Sequence, residues 1–385
     1  MVAENSSGYA EINGARVYYE VAGEGMAVVF VHAGVADRRM WDDQFPVFAE
    51  RYRAIRFDMR GFGNTAPVAA EYANRDDLYA LLRVLGVERA YFIGCSMGGG
   101  TCMDFALEHP DMAAALVMVG SGPGGLDLDV PMPAKFAEIE AAAKNGEWET
   151  FLELETQVWF DGEGRAPGEV NGEARAKMAA MNRNALALSR HAEGQPRPMQ
   201  PPAAERLKEL RLPVLVVYGD RDVPYIQAAA AYMGAHIAGA QVVLMPNTAH
   251  LPNMERPDEF NQIVLNFFRT IETQSIGDRT AAQRWSLGTR RGKMERKAEA
   301  SGSRRRITPW DTTWNDGVMG VRSTTPITRT SQRTSSSGPW PTTPTNRSRR
   351  SRCSSPSGQG LRSSSWVQRE AERELAKPDG LQDVG

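Results

Sequence analysis

Residues 94–98 read Gly94-Cys95-Ser96-Met97-Gly98, and the stretches on either side decide what this pentapeptide is. Upstream, Arg89-Ala90-Tyr91-Phe92-Ile93 is a short aromatic and β-branched run, the pattern of a strand buried in a parallel sheet. Downstream, Gly99 and Gly100 lead into Thr101–His109, whose apolar residues recur at helical spacing until Pro110 stops the run. Strand, G-x-S-x-G, helix predicts a turn so tight that the serine takes a strained backbone conformation. A Cβ at Gly94 or Gly98 would strike neighbouring backbone, which is why glycine stands two residues either side. The Ser96 hydroxyl is then free above the sheet, at the positive end of a helix. The pentapeptide alone recurs by chance in glycine-rich chains, so the rest of the sequence must support it.

Before this elbow the chain alternates between strand and helix patterns. Tyr9–Ile12 and Ala15–Val21 flank Asn13-Gly14, a hairpin signal. Ala27–Val31 is a near-continuous apolar strand ending at His32-Ala33-Gly34, and Trp41–Glu50 reads as a helix. Ala54–Phe57 is a strand ending in Asp58-Met59-Arg60-Gly61-Phe62-Gly63, and Asp76–Leu85 is a helix closed by Gly86. After the elbow helix comes the strand Ala114–Val119. The expected fold class is α/β: a mostly parallel eight-stranded sheet with helices on both faces.

The alternation breaks from about Gly122 to Leu210, where Lys135–Lys144, Trp148–Phe160 and Arg175–His191 are helical and no strand pattern intervenes. The simplest reading is a helical lid inserted into the sheet. Pro213–Gly219 resumes the strands, followed by a helix, the strand Gln241–Met245 and the amphipathic helix Asp258–Ile271. The expected organisation is thus a core in two parts, 1–122 and 211–273, a lid over 123–210, and a tail over 274–385. Residues 276–385 hold only four Leu, three Ile, four Val and no Phe, too few to bury a core, so the tail is expected to be disordered. Its Ser/Arg character suits RNA or membrane contact, yet five of the chain's eight tryptophans lie in it. That mixture favours a segment read through a shifted frame or a mispredicted end.

Charge divides along the same boundary. Residues 1–275 carry 24 Lys+Arg against 37 Asp+Glu, and residues 276–385 carry 21 against 10, balances of −13 and +11 that leave the chain at −2. The acidic part has no basic stripe, so nucleic acid is not an expected partner of the folded domain. The start, Met1-Val2-Ala3-Glu4-Asn5, lacks a secretory pattern, and no apolar run is long enough to span a membrane. Three cysteines make no disulfide framework, and Cys95 and Cys102 read as small buried side chains. A cytoplasmic enzyme is the expectation, its oligomeric state open.

Serine is a poor nucleophile near neutral pH and needs a base, and the base needs an orienting carboxylate. Of the five histidines, His250 lies in Asn247-Thr248-Ala249-His250-Leu251-Pro252, directly after a strand and so at the same sheet edge as Ser96. His109 reads as a helix cap, His191 falls in the lid, His236 near a helix end, and His32 as a loop anchor. Tyr218-Gly219-Asp220-Arg221-Asp222 follows a neighbouring strand. Asp222, further into the loop, is the candidate acid; Asp220 is better placed to hold the turn, and Asp127 is the fallback. The tetrahedral intermediate needs two backbone N–H donors, expected from Met97 and from Gly34.

The motifs His32-Ala33-Gly34, Asp58-x-Arg60-Gly61-x-Gly63, Gly94-x-Ser96-x-Gly98, Gly219-x-x-Asp222 and His250, in this order across residues 9–271, resemble those of the α/β-hydrolase superfamily. Carried over by position, the resemblance implies Ser96 as nucleophile, Asp222 as acid, His250 as base, and Gly34 with Met97 as oxyanion hole. Asp58 and Arg60 match a turn the family uses structurally. Ala33 stands where glycine is usual, and Thr65 where serine is frequent. Serine at the nucleophile position sets the chain apart from haloalkane dehalogenases and epoxide hydrolases, and Val35-Ala36 does not match the glycine-proline loop of proline iminopeptidases. Serine esterases, enol-lactonases, carbon–carbon bond hydrolases and cofactor-free perhydrolases remain, all without cofactor or metal. A non-catalytic receptor or scaffold on the same fold is the alternative class. The expected substrate is a small apolar ester or lactone, in a pocket to which Trp41, Trp159, Met178 and Met181 are the candidate contributors. Arg183 or Arg190 would suit a substrate carboxylate, although solvated helix faces are the expectation for both.

Overall fold

A computed structural model describes residues 6–189 and 194–274; the expectations for Arg190, His191 and the tail from 275 onward concern residues outside that range. Among the described residues the strands are β1 (Ser6–Ile12), β2 (Ala15–Ala22), β3 (Ala27–Val31), β4 (Arg53–Phe57), β5 (Ala90–Cys95), β6 (Ala113–Val119), β7 (Val214–Gly219) and β8 (Gln241–Met245). They form one 8-stranded sheet in the order β1-β2-β4-β3-β5-β6-β7-β8. β2 runs antiparallel to β1 and to β4, and β3 onward is parallel throughout. The β1–β2 turn places Asn13 at φ 46° and Gly14 at φ 77°, both left-handed, as a two-residue hairpin turn requires.

The helices are α1 (Phe45–Ala49), α2 (Asn74–Val84), α3 (Met97–Glu108), α4 (Lys135–Lys144), α5 (Trp148–Thr156), α6 (Gly172–Ser189), α7 (Ala203–Arg206), α8 (Pro224–His236) and α9 (Pro252–Glu255), with a last helix over 257–274. The sheet's period of two builds a core on each face. Val28 and Phe30 of β3 pack with Phe48 of α1 and Phe268 of the last helix, while Val29 and Val31 pack with Leu78 of α2 and Phe105 of α3. Two expected helices divide into pieces of different geometry. Trp41–Glu50 is instead a 3₁₀ turn, Arg38–Trp41, capped by the Asp37 side chain, followed by the short α1, which starts at the proline. The run Trp148–Phe160 leaves α-helical geometry at Gln157 and ends in a π turn, Gln157–Asp161.

Strand order decides where a site can form. β3 lies between β4 and β5, so the chain departs from β3 in both directions, and the loops after β3 and β5 open a crevice at their carboxyl ends. Val31 pairs beside Gly94, which sets the His32-Ala33-Gly34 loop next to Ser96. The ends of β6, β7 and β8 lie along the same edge.

Candidate active site

Ser96 joins β5 to α3 with φ 51° and ψ −116°, a conformation that costs a non-glycine residue about 1–3 kcal/mol. Its N–H donates to Val119 O at 2.8 Å, and Ser121 Oγ donates to its carbonyl at 2.8 Å. A Cβ on Gly94 would fall on the carbonyl of Gly98, and one on Gly98 on the carbonyls of Val31 and His32. Because the reversal is confined to Ser96, α3 begins at Met97, four residues before the helix expected from Thr101. Ser96 is the helix N-cap, yet its side chain makes no capping bond, so Oγ is not committed to the helix.

Asp222 and His250 meet as a buried pair. The His250 Nδ1–H donates to Asp222 Oδ2 at 2.8 Å, and the two side chains are 2% and 0% exposed. Asp222 Oδ1 accepts the Val223 N–H at 2.7 Å, which fixes the carboxylate plane. With Nδ1 carrying the proton, Nε2 keeps its lone pair. Gly120, at the end of β6, lets the pair lie close: a Cβ there would sit 2.7 Å from His250 O and 3.2 Å from His250 Nδ1. Asp220 is directed elsewhere, accepting the Asn247 N–H at 2.6 Å, and Asp127 borders a cavity instead of the histidine. His109 caps α3 and stacks on Tyr79 at 4.3 Å, and His236 bonds within α8.

The loop after β3 is held from behind. His32, fully buried, bonds through Nδ1 to Ala33 O at 2.8 Å and accepts the Met59 N–H on Nε2 at 2.9 Å. Burial lowers its pKa, so it stays neutral. Asp58 Oδ1 accepts the Arg38 N–H at 2.9 Å, and its Oδ2 accepts from Arg38 Nη1 at 2.7 Å and Asn64 N–H at 2.8 Å. Arg60 bonds Asp77 across 2.5 Å and the Asn13 carbonyl, tying α2 to the hairpin. Thr65 has a task the sequence did not suggest: its hydroxyl accepts the Tyr18 N–H at 2.9 Å, as a serine's would. Ala33 N–H is taken by Met40 Sδ at 3.2 Å; Gly34 is buried and does not itself border the cavity.

Ser96, Met97 and His250 open onto a cavity of about 560 Å³, bounded also by the backbone-rich segment from Gly120 to Leu126 and by Met132, Phe136, Trp159, Tyr225 and Ile226. Of the four apolar residues expected at the substrate, only Trp159 borders this cavity; its ring lies 4.5 Å from the His250 imidazole. Trp41 is a correction: it is fully buried between Phe30 and Phe260, at centroid distances of 5.4 and 6.2 Å. Met178 and Met181 likewise pack inward from α6, at 0% and 1% exposure. Arg183 faces solvent against Glu149. The sequence reading missed Gly120, Ser121, Phe136 and Tyr225. The signal for the first two was present, since Gly120-Ser121-Gly122 directly follows a strand at the same edge as the elbow. The only charged side chain among the described lining residues is Asp127. Cys95 and Cys102 are fully buried, and burial raises both thiols well above the ordinary range. Among the described residues no cluster suits a metal, and no helix is long and apolar enough to cross a membrane.

Comparison with known proteins bears on this arrangement. The sequence profile of the Alpha/beta hydrolase family matches residues 28–263. A 2-hydroxy-6-oxo-6-phenylhexa-2,4-dienoate hydrolase of Comamonas testosteroni is 27% identical over 66% of this chain and 91% of its own. A 2-hydroxy-6-oxononadienedioate/2-hydroxy-6-oxononatrienedioate hydrolase of Klebsiella pneumoniae is 29% identical over 66% and 90%. Among solved structures, Est816, described as an N-acyl homoserine lactone degrading enzyme, aligns with a TM-score of 0.55 at 27% identity, over 67% of this chain and 99% of its own. The profile spans more than half of the chain and every element that carries the elbow, the Asp–His pair and the loop after β3. With that span, and with the eight-stranded sheet it folds into, the chain is a hydrolase and belongs to the alpha/beta hydrolase family.

Proposed function

We propose that this chain hydrolyses a neutral, apolar carboxylic ester or lactone through an acyl-enzyme on Ser96, beneath a lid formed by the helical insertion. In this reading His250 Nε2 takes the Ser96 proton as Oγ attacks the substrate carbonyl, then returns it to the leaving alkoxide. Asp222 holds the imidazole in the Nδ1–H form and stabilises its cation. Met97 N–H, at the positive end of α3 and bordering the cavity, receives the developing oxyanion. Water then attacks the acyl-enzyme with His250 again as base. For a lactone the leaving alkoxide stays tethered to the acyl group, and one hydroxy acid is released.

The observation that carries the choice of substrate is the lining of the cavity: apolar side chains, backbone and one carboxylate, with no Lys or Arg among the described residues. A carboxylate entering it would lose hydration without gaining a cation. That weighs against the substrates named for the Comamonas and Klebsiella relatives, which are dienoates and dioates. It agrees with the neutral lactone named for Est816. The relatives do support a second reading. A 2-hydroxy-6-oxo-dienoate contains no ester, so its hydrolysis breaks a carbon–carbon bond, and the same triad would serve that reaction. The test is kcat/KM over p-nitrophenyl esters, acyl lactones and 2-hydroxy-6-oxo-6-phenylhexa-2,4-dienoate. Esters or lactones should lead, and Ser96→Ala should lower kcat by roughly 10³-fold or more. A clear preference for the dienoate would replace this reading with the second.

A further inference from the structure

One buried ion pair outside the residues assigned to chemistry joins the insertion to the loop that carries His250. Arg165 and Glu255 lie 2.8 Å apart, with side chains only 8% and 6% exposed. On the insertion side, Arg165 Nε donates to Asp161 O at 2.5 Å and Nη2 to Phe160 O at 3.0 Å. On the histidine side, Nη1 donates to Asn247 O at 2.9 Å, and Glu255 Oε1 accepts the Ala249 N–H at 2.6 Å. The pair therefore grips the backbone just after Trp159 and just before His250, the two side chains whose rings meet at 4.5 Å over the cavity. A guanidinium suits this task because its planar fork can hold several acceptors at once.

We propose that Arg165 and Glu255 form a positioning pair, which clamps the insertion to the histidine loop and so sets the orientation from which His250 serves Ser96. Neither residue touches substrate, and the inference rests on the triad reading above. The clamp is sensitive to pH. Burial, the leading cause, pushes the Glu255 carboxyl up to about 7; the Ala249 N–H and Arg165 pull it back, and the negative charge of Asp222 adds to the push. The charged groups acting on it are thus Arg165 from the insertion and Asp222 from the loop after β7. As pH falls through about 7, Glu255 gains a proton and its ionic hold on Arg165 is lost.

The experiment compares the full-length chain with Glu255→Gln and Arg165→Lys, on the best ester or lactone between pH 6 and 8.5. Glutamine keeps an acceptor for Ala249 but removes the charge. At pH 8 it should lower kcat by about tenfold with KM changed less than about threefold. The ratio of parent to variant kcat should shrink as pH falls below about 7, because the parent's own Glu255 is then protonated. Lysine keeps the charge but cannot hold both loops, and should also lower kcat. Amide hydrogen exchange in both variants should rise in residues 157–165 and in 247–251 together. A Glu255→Gln kcat within about twofold of the parent at pH 8, a ratio independent of pH, or exchange confined to one of the two segments would overturn the proposal. Should Glu255→Gln not fold, Arg165→Lys decides by its kcat and its exchange. A parent inactive on every ester and lactone would defeat the proposed function, while the exchange measurement, which needs no substrate, would still decide the clamp.

Discussion

Glu155, on α5, has one hydrogen-bond partner for its carboxyl among the described residues, the Asn182 Nδ2–H of α6 at 2.7 Å, and it is 1% exposed. Burial pushes its pKa from 4.5 up to about 7, against only the pull of Asn182. The folded protein therefore holds a proton that the unfolded chain releases between these two values. The group's contribution to stability is full below about 4.5 and is lost as pH rises through about 7. At about 1.4 kcal/mol per pH unit, the span from 4.5 to about 7 corresponds to about 3 kcal/mol. A protonated carboxyl also gives the unpartnered Asn182 Oδ1 an O–H to accept once the amide turns over. Glu155→Gln has the same shape and cannot ionise. It should leave stability at pH 5 within about 1 kcal/mol of the parent and raise it at pH 8 by up to about 3 kcal/mol. Urea unfolding of both chains at the two pH values measures this, with the difference between the two differences as readout. An equal effect at pH 5 and pH 8, or a loss at pH 8, would show that Glu155 is not held neutral by its surroundings.

Asp222→Asn should lower ester kcat by roughly 10²–10⁴-fold, since the His250 Nδ1–H loses its ionic acceptor. Asp220→Ala, which removes the acceptor of the Asn247 N–H and a 3.9 Å ion pair with Arg221, should cost about 1 kcal/mol of stability and little rate. If steady-state kinetics and melting curves came out the other way round, the acid of the triad would be Asp220. Asp127→Lys should raise kcat/KM for a carboxylate-bearing ester about tenfold relative to its neutral counterpart. An unchanged ratio would show that Asp127 does not set the charge preference of the cavity.

The elbow was legible because its chemistry is steric and local. Gly94 and Gly98 must lack side chains for reasons contained within a strand, a turn and a helix, and the overlaps seen at their Cβ positions are those the spacing implies. The sheet was legible because a buried parallel strand is apolar throughout, as all seven residues of β6 are, and because Asn13-Gly14 demands left-handed backbone. Asp220 and Asp222 were separable on distance along the loop, and the structure sends them to different partners. Element ends were less legible. The helix expected from Trp41 depended on Asp37 and on a proline at the start of α1, both of which favour two short turns over one long one. The long helix ending at Phe160 gave no sign of its π turn, whose packing against His250 is a tertiary matter.

The cavity was the least legible part, for a physical reason. Apolar size says that Trp41, Met178 and Met181 are buried, but not whether they face a cavity or other side chains, and all three pack inward. Much of the wall beside Ser96 is the backbone of Gly120, Ser121, Gly122, Pro123, Gly124 and Gly125, which offers no side-chain pattern to read. Such a wall also changes little under substitution, which leaves discrimination between substrates to the lining side chains. Of these, Met132, Phe136 and Trp159 come from the insertion, and Tyr225 and Ile226 from α8. Whatever fixes the insertion against the sheet therefore acts on substrate choice as well as on His250. Arg165 and Glu255 hold that position although they stand far apart in the chain. Neither carries a motif of its own, and only the fold brings them together.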